Sequence, residues 1–212
     1  MMGVSANAET SGLFRKVSDL QKKGIDRLEY DIDSILKFLE SNSLNGRRET
    51  TSLRELEEQL RSIGDEDGVP FCLLTDLGDK ESWVTHISPI RFETCIREII
   101  ENSVKFHPKG SPSLTWSIQV FNTGDTAILT FENDGDPILE EELANAWKPY
   151  WQADRYRTGE IRGMGLGLSL IAANIWGAGG TCSIANRKDK SGAIVTLTLP
   201  IFPESSRQAK SG

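Results

Sequence analysis

Glu98, Asn102 and Lys105 carry a carboxylate, an amide and an ammonium through the segment EIIENSVKF. At about 100° per helical residue the three fall within an arc of roughly 60°. An amide or carboxylate oxygen suits Mg2+, and a lysine suits a phosphate. A solvated helix face would carry the same residue types. The second chemistry-bearing stretch, GMGLGLSLI, holds Gly163, Gly165 and Gly167 at alternate positions and then turns apolar. Glycines opening a helix suit a backbone that wraps phosphate. The spacing is GxGxG. Leu168 stands where a dinucleotide fingerprint needs its third glycine, the preceding RYRTGEIR is too polar for a strand, and no GxxxxGK(S/T) loop exists.

Two further stretches could complete a site. In FENDGDPI, the residues Asn133, Asp134, Gly135 and Asp136 make a sharp turn. It is either a turn alone or a strand end whose polar side chain reads the exocyclic amine of a base. WKPYWQADRYR collects Trp147, Tyr150 and Trp151 with basic residues. These aromatics suit a core, or a hinged lid edge with Arg155, Arg157 and Arg162 near phosphates.

The elements that must hold these residues can be read from periodicity. Ser88 is a good N-cap and Pro89 a good first helical residue for a helix to about Phe106, stopped before Pro108. Its Phe92, Cys95, Ile99, Ser103 and Phe106 share one side, expected to face a sheet. LTWSIQVF and TAILTFEN alternate apolar residues and form a hairpin around NTGD, and GTCSIAN with AIVTLTLP forms another. The glycine helix should end near Trp176. VPFCLLTDL and SWVTHIS read as two short strands joined at Gly78 and Asp79. TSLRELEEQLRSIG reads as a short helix ending at Gly64. Together these predict an α+β fold: an α/β sandwich whose mixed, mostly antiparallel sheet has helices on one face.

Ahead of this lies one long amphipathic helix. Leu13, Val17, Leu20, Leu28, Ile32, Ile35 and Leu39 recur at helical spacing, with Gly24 where the two runs meet. Its narrow apolar seam needs a second helix; a homodimer is the simplest supply, with a missing partner helix as the rival. Residues 1–12 and 203–212 are small and polar and read as a disordered lead-in and tail. The expected division is a stem helix over 13–45, a connector over 46–68 and a domain over 69–202.

The composition narrows the classes. The chain has 212 residues, 38% of them hydrophobic and 26% charged, with net charge −7. That acidity argues against nucleic acid as a partner. No run of about 18 apolar residues offers a membrane span. Cys72, Cys95 and Cys182 form no CxxC pair, which fits neither a zinc site nor a disulfide framework and suits a reducing cytoplasm.

In order and spacing, EIIENSVKF, ENDGDPI, WKPYWQAD and GMGLGL resemble the N box, first glycine box, F box and second glycine box of the GHKL ATPase superfamily, with its Bergerat-type sandwich. The stretch from about Val69 to Pro200 resembles the ATP-binding catalytic domain of sensor histidine kinases. LQKKGIDRLEYDIDSILKFLE resembles the second helix of their dimerisation hairpin. The resemblance implies ATP and Mg2+ as cofactors and a response regulator receiver domain as partner. Asn102 would hold Mg2+, Lys105 would meet phosphates, and Glu98 stands where gyrase-like relatives place a base. Asn133 stands where the family has an aspartate that accepts from the adenine amine, and its amide oxygen is expected to take that bond. Gly135 is kept, whereas Pro137 replaces the second glycine of that box. Trp147 and Tyr150 would couple the lid to the stem. Arg162, Gly163, Gly165, Leu166 and Gly167 would approach the phosphates.

The implied reaction moves the ATP γ-phosphoryl to a histidine, for relay to an aspartate of the regulator. The chain has two histidines, His86 and His107, and neither falls on a helical stem. The acceptor is therefore expected elsewhere in a longer kinase or on another protein, unless activity has been lost. The rival readings are a scaffold that docks a response regulator without catalysis, and an anti-sigma-type serine kinase, which the long stem disfavours.

Overall fold

The computed structural model describes residues 49–120, 125–152 and 164–204, with scattered positions between 15 and 36. The expectations for 1–12, for the end of the tail and for Leu13, Val17, Leu20 and Leu39 lie outside these residues. The described positions between Arg15 and Leu36 are helical. Among them Leu28 and Ile32 of the expected seam, with Ile25 and Leu36, are at least half exposed.

The sheet explains where the site lies. Strands β1 (Thr51–Ser52) and β3 (Val84–Thr85) pair antiparallel as a small sheet. Strands β2 (Phe71–Asp76), β4 (Leu114–Val120), β5 (Thr126–Glu132), β6 (Thr181–Asn186) and β7 (Ala193–Pro200) form a second sheet in the order β2-β4-β5-β7-β6. Among the described strands only the β2–β4 pair is parallel. Both expected hairpins, β4–β5 and β6–β7, are present. Burial alternates along β5 and β7, so Ala127, Leu129 and Phe131 share a buried face with Val195, Leu197 and Leu199. Helices α1 (Leu53–Asp67), α2 (Pro89–Phe106) and α4 (Gly167–Gly177) bury their apolar sides in the same core as that face, and a short α3 (Glu140–Leu143) precedes the lid region.

Two local expectations need correction, while the two short strands joined at Gly78 and Asp79 are present and pair in different sheets. The chain turns at Leu77–Lys80 and returns to the start of α1, where the Leu53 N–H donates to the Trp83 carbonyl at 2.9 Å. This leaves β2 to pair in parallel with β4. Helix α1 does not stop at Gly64. It runs to Asp67, and Gly68, at φ +64°, provides the left-handed cap. Gly64 lies under the Phe71 ring, where a side chain would not fit. The start of α1 is set by a capping box: Ser52 Oγ accepts from Glu55 N at 3.2 Å, and Ser52 N donates to the Glu55 carboxylate at 2.7 Å. Finally, Phe92, Cys95, Ile99 and Ser103 are buried as expected, but Phe106 is 40% exposed because the last turn of α2 overhangs a cleft.

The core begins at Leu53. Leu53, Leu56, Leu60 and Ile63 of α1 join α2 and the sheet in one cluster, so this helix is built into the sandwich.

Candidate functional site

Helix α2 presents the first wall. Ser88 Oγ caps it by accepting from Arg91 N at 3.4 Å, and Pro89 occupies its first turn. Its apolar side enters the core, which turns the neighbouring column of Glu98, Asn102 and Lys105 toward the start of α4. All three line one cleft of about 190 Å3. A Cβ placed on Gly167 would lie 2.6 Å from Glu98 Oε2 and 3.2 Å from Asn102 Nδ2. The second glycine segment thus packs directly over the polar column of α2. Asn102 Nδ2 is buried with no hydrogen-bond partner among the described residues. Leu166 caps α4 without a side-chain hydrogen bond, so the first amides of that helix are left to face the cleft.

The turn after β5 makes the opposite wall. Asn133 Oδ1 accepts from Gly135 N at 3.2 Å and from Ala193 N at 3.1 Å. Its Nδ2 makes a long 3.5 Å contact to Ser103 Oγ, which itself donates to the Ile99 carbonyl at 2.8 Å. Arg187, buried against this turn, donates to the Asn133 carbonyl at 3.1 Å and pairs with Glu132 at 2.8 Å. His107 Nδ1 accepts from Lys109 N and Ser111 N, each at 3.3 Å, and Nε2 lies 3.5 Å from Asp134. His107 therefore ties two loops together. His86 stacks on Phe202 with centroids 4.4 Å apart.

Between these walls the lining is apolar: Phe131, Ile138, Ile184 and Val195. The lid edge comes from the chain after α3. Tyr150 adopts φ +63°, a left-handed conformation rare for a residue with a side chain. Its N–H donates to the Gly165 carbonyl at 3.0 Å. Gly165, at φ +72°, lies against the Trp151 backbone so closely that a Cβ would run into the Trp151 carbonyl oxygen. The Tyr150 side chain is 59% exposed and does not line the cleft, whereas Trp151, Gln152 and Met164 do. Trp147 is partly buried against the core.

The structure brings together Glu98, Asn102, Lys105, Asn133, Gly135, Gly165, Leu166 and Gly167 around one cleft. Tyr150 does not line it and touches it only by holding Gly165 through its backbone N–H. Arg155, Arg157, Arg162 and Gly163 lie outside the described residues. Trp151, expected in the core or at a lid edge, lines the cleft, and Ser103, His107 and Gln152 line it without having been expected there. Trp151 and Gln152 were visible as part of WKPYWQAD. Nothing in the sequence marked Ser103 beyond its place on the buried side of α2.

An apolar slot with a polar turn at one end and a glycine-opened helix over an Asn–Glu column at the other suits a nucleotide with its phosphates. Residues 87–203 match the family described as "Histidine kinase-, DNA gyrase B-, and HSP90-like ATPase". That is more than half of the chain, and the protein belongs to this ATP-binding family. A similar curated protein is the autoinducer 2 sensor kinase/phosphatase LuxQ of Vibrio vulnificus, 28% identical over 152 residues, which cover 71% of this chain and 17% of LuxQ. Another is the sensor histidine kinase WalK of Bacillus subtilis, 24% identical, covering 92% of this chain and 30% of WalK. The chain thus spans less than a third of the length of these two relatives. Among solved structures, histidine kinase ThkA in complex with response regulator protein TrrA matches with TM-score 0.59 at 18% identity, over 90% of this chain and 52% of that one. At that identity the likeness concerns the fold.

Proposed function

We propose that the chain is the ATP-binding catalytic part of a sensor histidine kinase, moving the γ-phosphoryl of ATP to a histidine for relay to a response regulator. The observation that carries the reading is the packing of Gly167 over Glu98 and Asn102 at the polar end of the cleft. Asn102 would hold Mg2+ through its amide oxygen. The oxygen atoms of Asn102 and Glu98, both lining the cleft, fit a hard cation that keeps phosphate and water ligands. Bound there, Mg2+ would neutralise phosphate charge. Lys105, the amides of Leu166 and Gly167, and Arg162 with Gly163 would surround the phosphates. Gly135 and Asn133 would meet the base. Tyr150 and Gly165, hydrogen-bonded to each other, would set the lid edge.

In the transfer, the bond from Pγ to the bridging oxygen of the β-phosphate breaks and a P–N bond forms to the imidazole. ADP leaves with the oxygen's electrons. Glu98, in the same cleft, would take the imidazole proton. The domain's main work is positioning and charge neutralisation.

The exposed Ile25, Leu28, Ile32 and Leu36 support a stem that pairs with a second copy. Free Cys72, Cys95 and Cys182 support a reducing, cytoplasmic setting. The regulator partner is supported by the named ThkA–TrrA complex.

A second reading is a non-catalytic scaffold for a response regulator. It is favoured by Asn133 and Pro137 in the base-side turn and by the placement of both histidines in loops, away from a helical stem. Incubation of the chain with γ-labelled ATP and the isolated acceptor hairpin of a related kinase separates the two. Acid-labile label on the hairpin histidine supports transfer. Nucleotide binding with no label leaves the scaffold.

A further inference from the structure

The base-side wall of the cleft is main chain outside any ladder. Residues 133–138 lie in no helix or strand, yet Asn133, Gly135 and Ile138 line the cleft. Asn186, the last residue of β6, grips this segment twice. Its Nδ2 donates to the Ile138 carbonyl and its Oδ1 accepts from the Ile138 N–H, both at 2.7 Å. The side chain thus stands in for a strand partner, exchanging both main-chain hydrogen bonds with one residue. Reversing the amide would set donor against donor and acceptor against acceptor, so the hydrogen bonds fix its orientation. Pro137 has no N–H, so Ile138 is the first residue after the Asn133–Asp136 turn that offers both groups. Asn186 also stands on the same face of β6 as Ile184, two residues earlier, which lines the cleft too. The turn itself is held separately, since Ser191 Oγ donates to the Gly135 carbonyl at 2.7 Å. Changing Asn186 therefore frees Ile138 and leaves the turn attached.

We propose that Asn186 is a positioning residue for the nucleotide, acting through Ile138, whose side chain it holds against the face of the base. This rests on the cleft being a nucleotide site. Ile138 is half-buried. Without the grip its N–H and carbonyl turn to water, and the segment moves off the slot while the sandwich stays folded.

The test is a double-mutant cycle on nucleotide affinity, read by calorimetric titration of Mg-ATP into the full chain. Asn186→Leu keeps the size and removes both hydrogen bonds, and it should weaken ATP binding by about tenfold. Ile138→Ala keeps the grip and removes the apolar contact, with a loss of about tenfold again. The double variant should bind within about twofold of the weaker single variant, because both substitutions remove the same contact. Single losses that multiply, to about a hundredfold in the double variant, would place the role of Asn186 elsewhere and overturn the proposal. So would ATP affinity within about twofold of wild type in either single variant. Should Asn186→Leu fail to fold, Asn186→Asp takes its place in the cycle under the same criteria, since it keeps the acceptor and loses the donor. No ATP binding by the wild type would instead overturn the nucleotide-site reading, and this proposal with it.

Discussion

A side chain on Gly167 would share space with Glu98: its Cβ would stand 2.6 Å from Glu98 Oε2. The backbone of α4 can therefore touch the polar column of α2 only because residue 167 is a glycine. Gly167→Ala should separate affinity from stability. Alanine gains up to about 1 kcal/mol of helix propensity, and the clash is with the end of a flexible carboxylate side chain, so folding should change little. The Glu98–Asn102 geometry must shift, and nucleotide affinity should fall by about tenfold or more, or ~1.4 kcal/mol. Titration calorimetry beside thermal unfolding checks both halves.

Gly165 presents the opposite balance. Its φ of +72° is unfavourable for any L side chain, and a Cβ there meets the Trp151 carbonyl, a backbone group that cannot swing aside. Gly165→Ala should lose about 1–2 kcal/mol of stability. The Tyr150–Gly165 hydrogen bond should loosen with it. Urea unfolding with the slope held unchanged would show this; an unchanged midpoint would mean that Trp151 is free to move.

The same comparison shows what the sequence could reveal. The caps at Ser88 and the alternation in β4, β5 and β7 are local signals, and they placed α2 and both hairpins correctly. The column of Glu98, Asn102 and Lys105 followed from helical spacing alone. The parallel partner of β2 was not legible, because the strand order of a sheet rests on long-range pairings that no local pattern encodes. Gly64 misled for a related reason. A glycine in that position signals a cap, yet here it makes room for the Phe71 ring from a later strand. The orientation of the Asn133 amide was likewise hidden. It is set by Ala193, 60 residues further along the chain.

Arg187 holds the base-side turn from behind. Its side chain is 5% exposed, it pairs with Glu132 at 2.8 Å, and it donates to the Asn133 carbonyl at 3.1 Å. Removing one member of a buried pair is costly, but Glu132 is 28% exposed and partly rehydrates. Arg187→Met should therefore lose about 2 kcal/mol, below the full buried-pair range. Nucleotide affinity should fall as well, because Asn133 loses its brace. Stability and affinity both equal to wild type would rule out that bracing role.

The cysteines should differ in reactivity. Burial pushes the Cys95 thiol up to about 12, and burial pushes Cys182 up to about 11. Cys72 is exposed. Near pH 8 a thiol reagent should label Cys72 first and reach the other two only on unfolding. The raised values also fix the sign of the pH dependence. Unfolded thiols ionise from the ordinary value of 9.0, while the folded ones keep their protons to about 11 and about 12. Above about pH 9 the unfolded state binds fewer protons, so the contribution of these cysteines should lower stability as pH rises. Loss of melting temperature across that window, reduced in Cys95→Ala relative to its own value at pH 8, is the expected outcome.

The central claim is that Asn102 and the glycine-opened helix α4 form the phosphate end of a nucleotide site. The most direct measurement is calorimetric titration of Mg-nucleoside triphosphate into the wild-type chain and into Asn102→Asp. The wild type should bind one nucleotide per chain, and the variant should bind at least about tenfold more weakly at unchanged melting temperature. Equal affinity in the two proteins, or no binding by the wild type, would contradict the account.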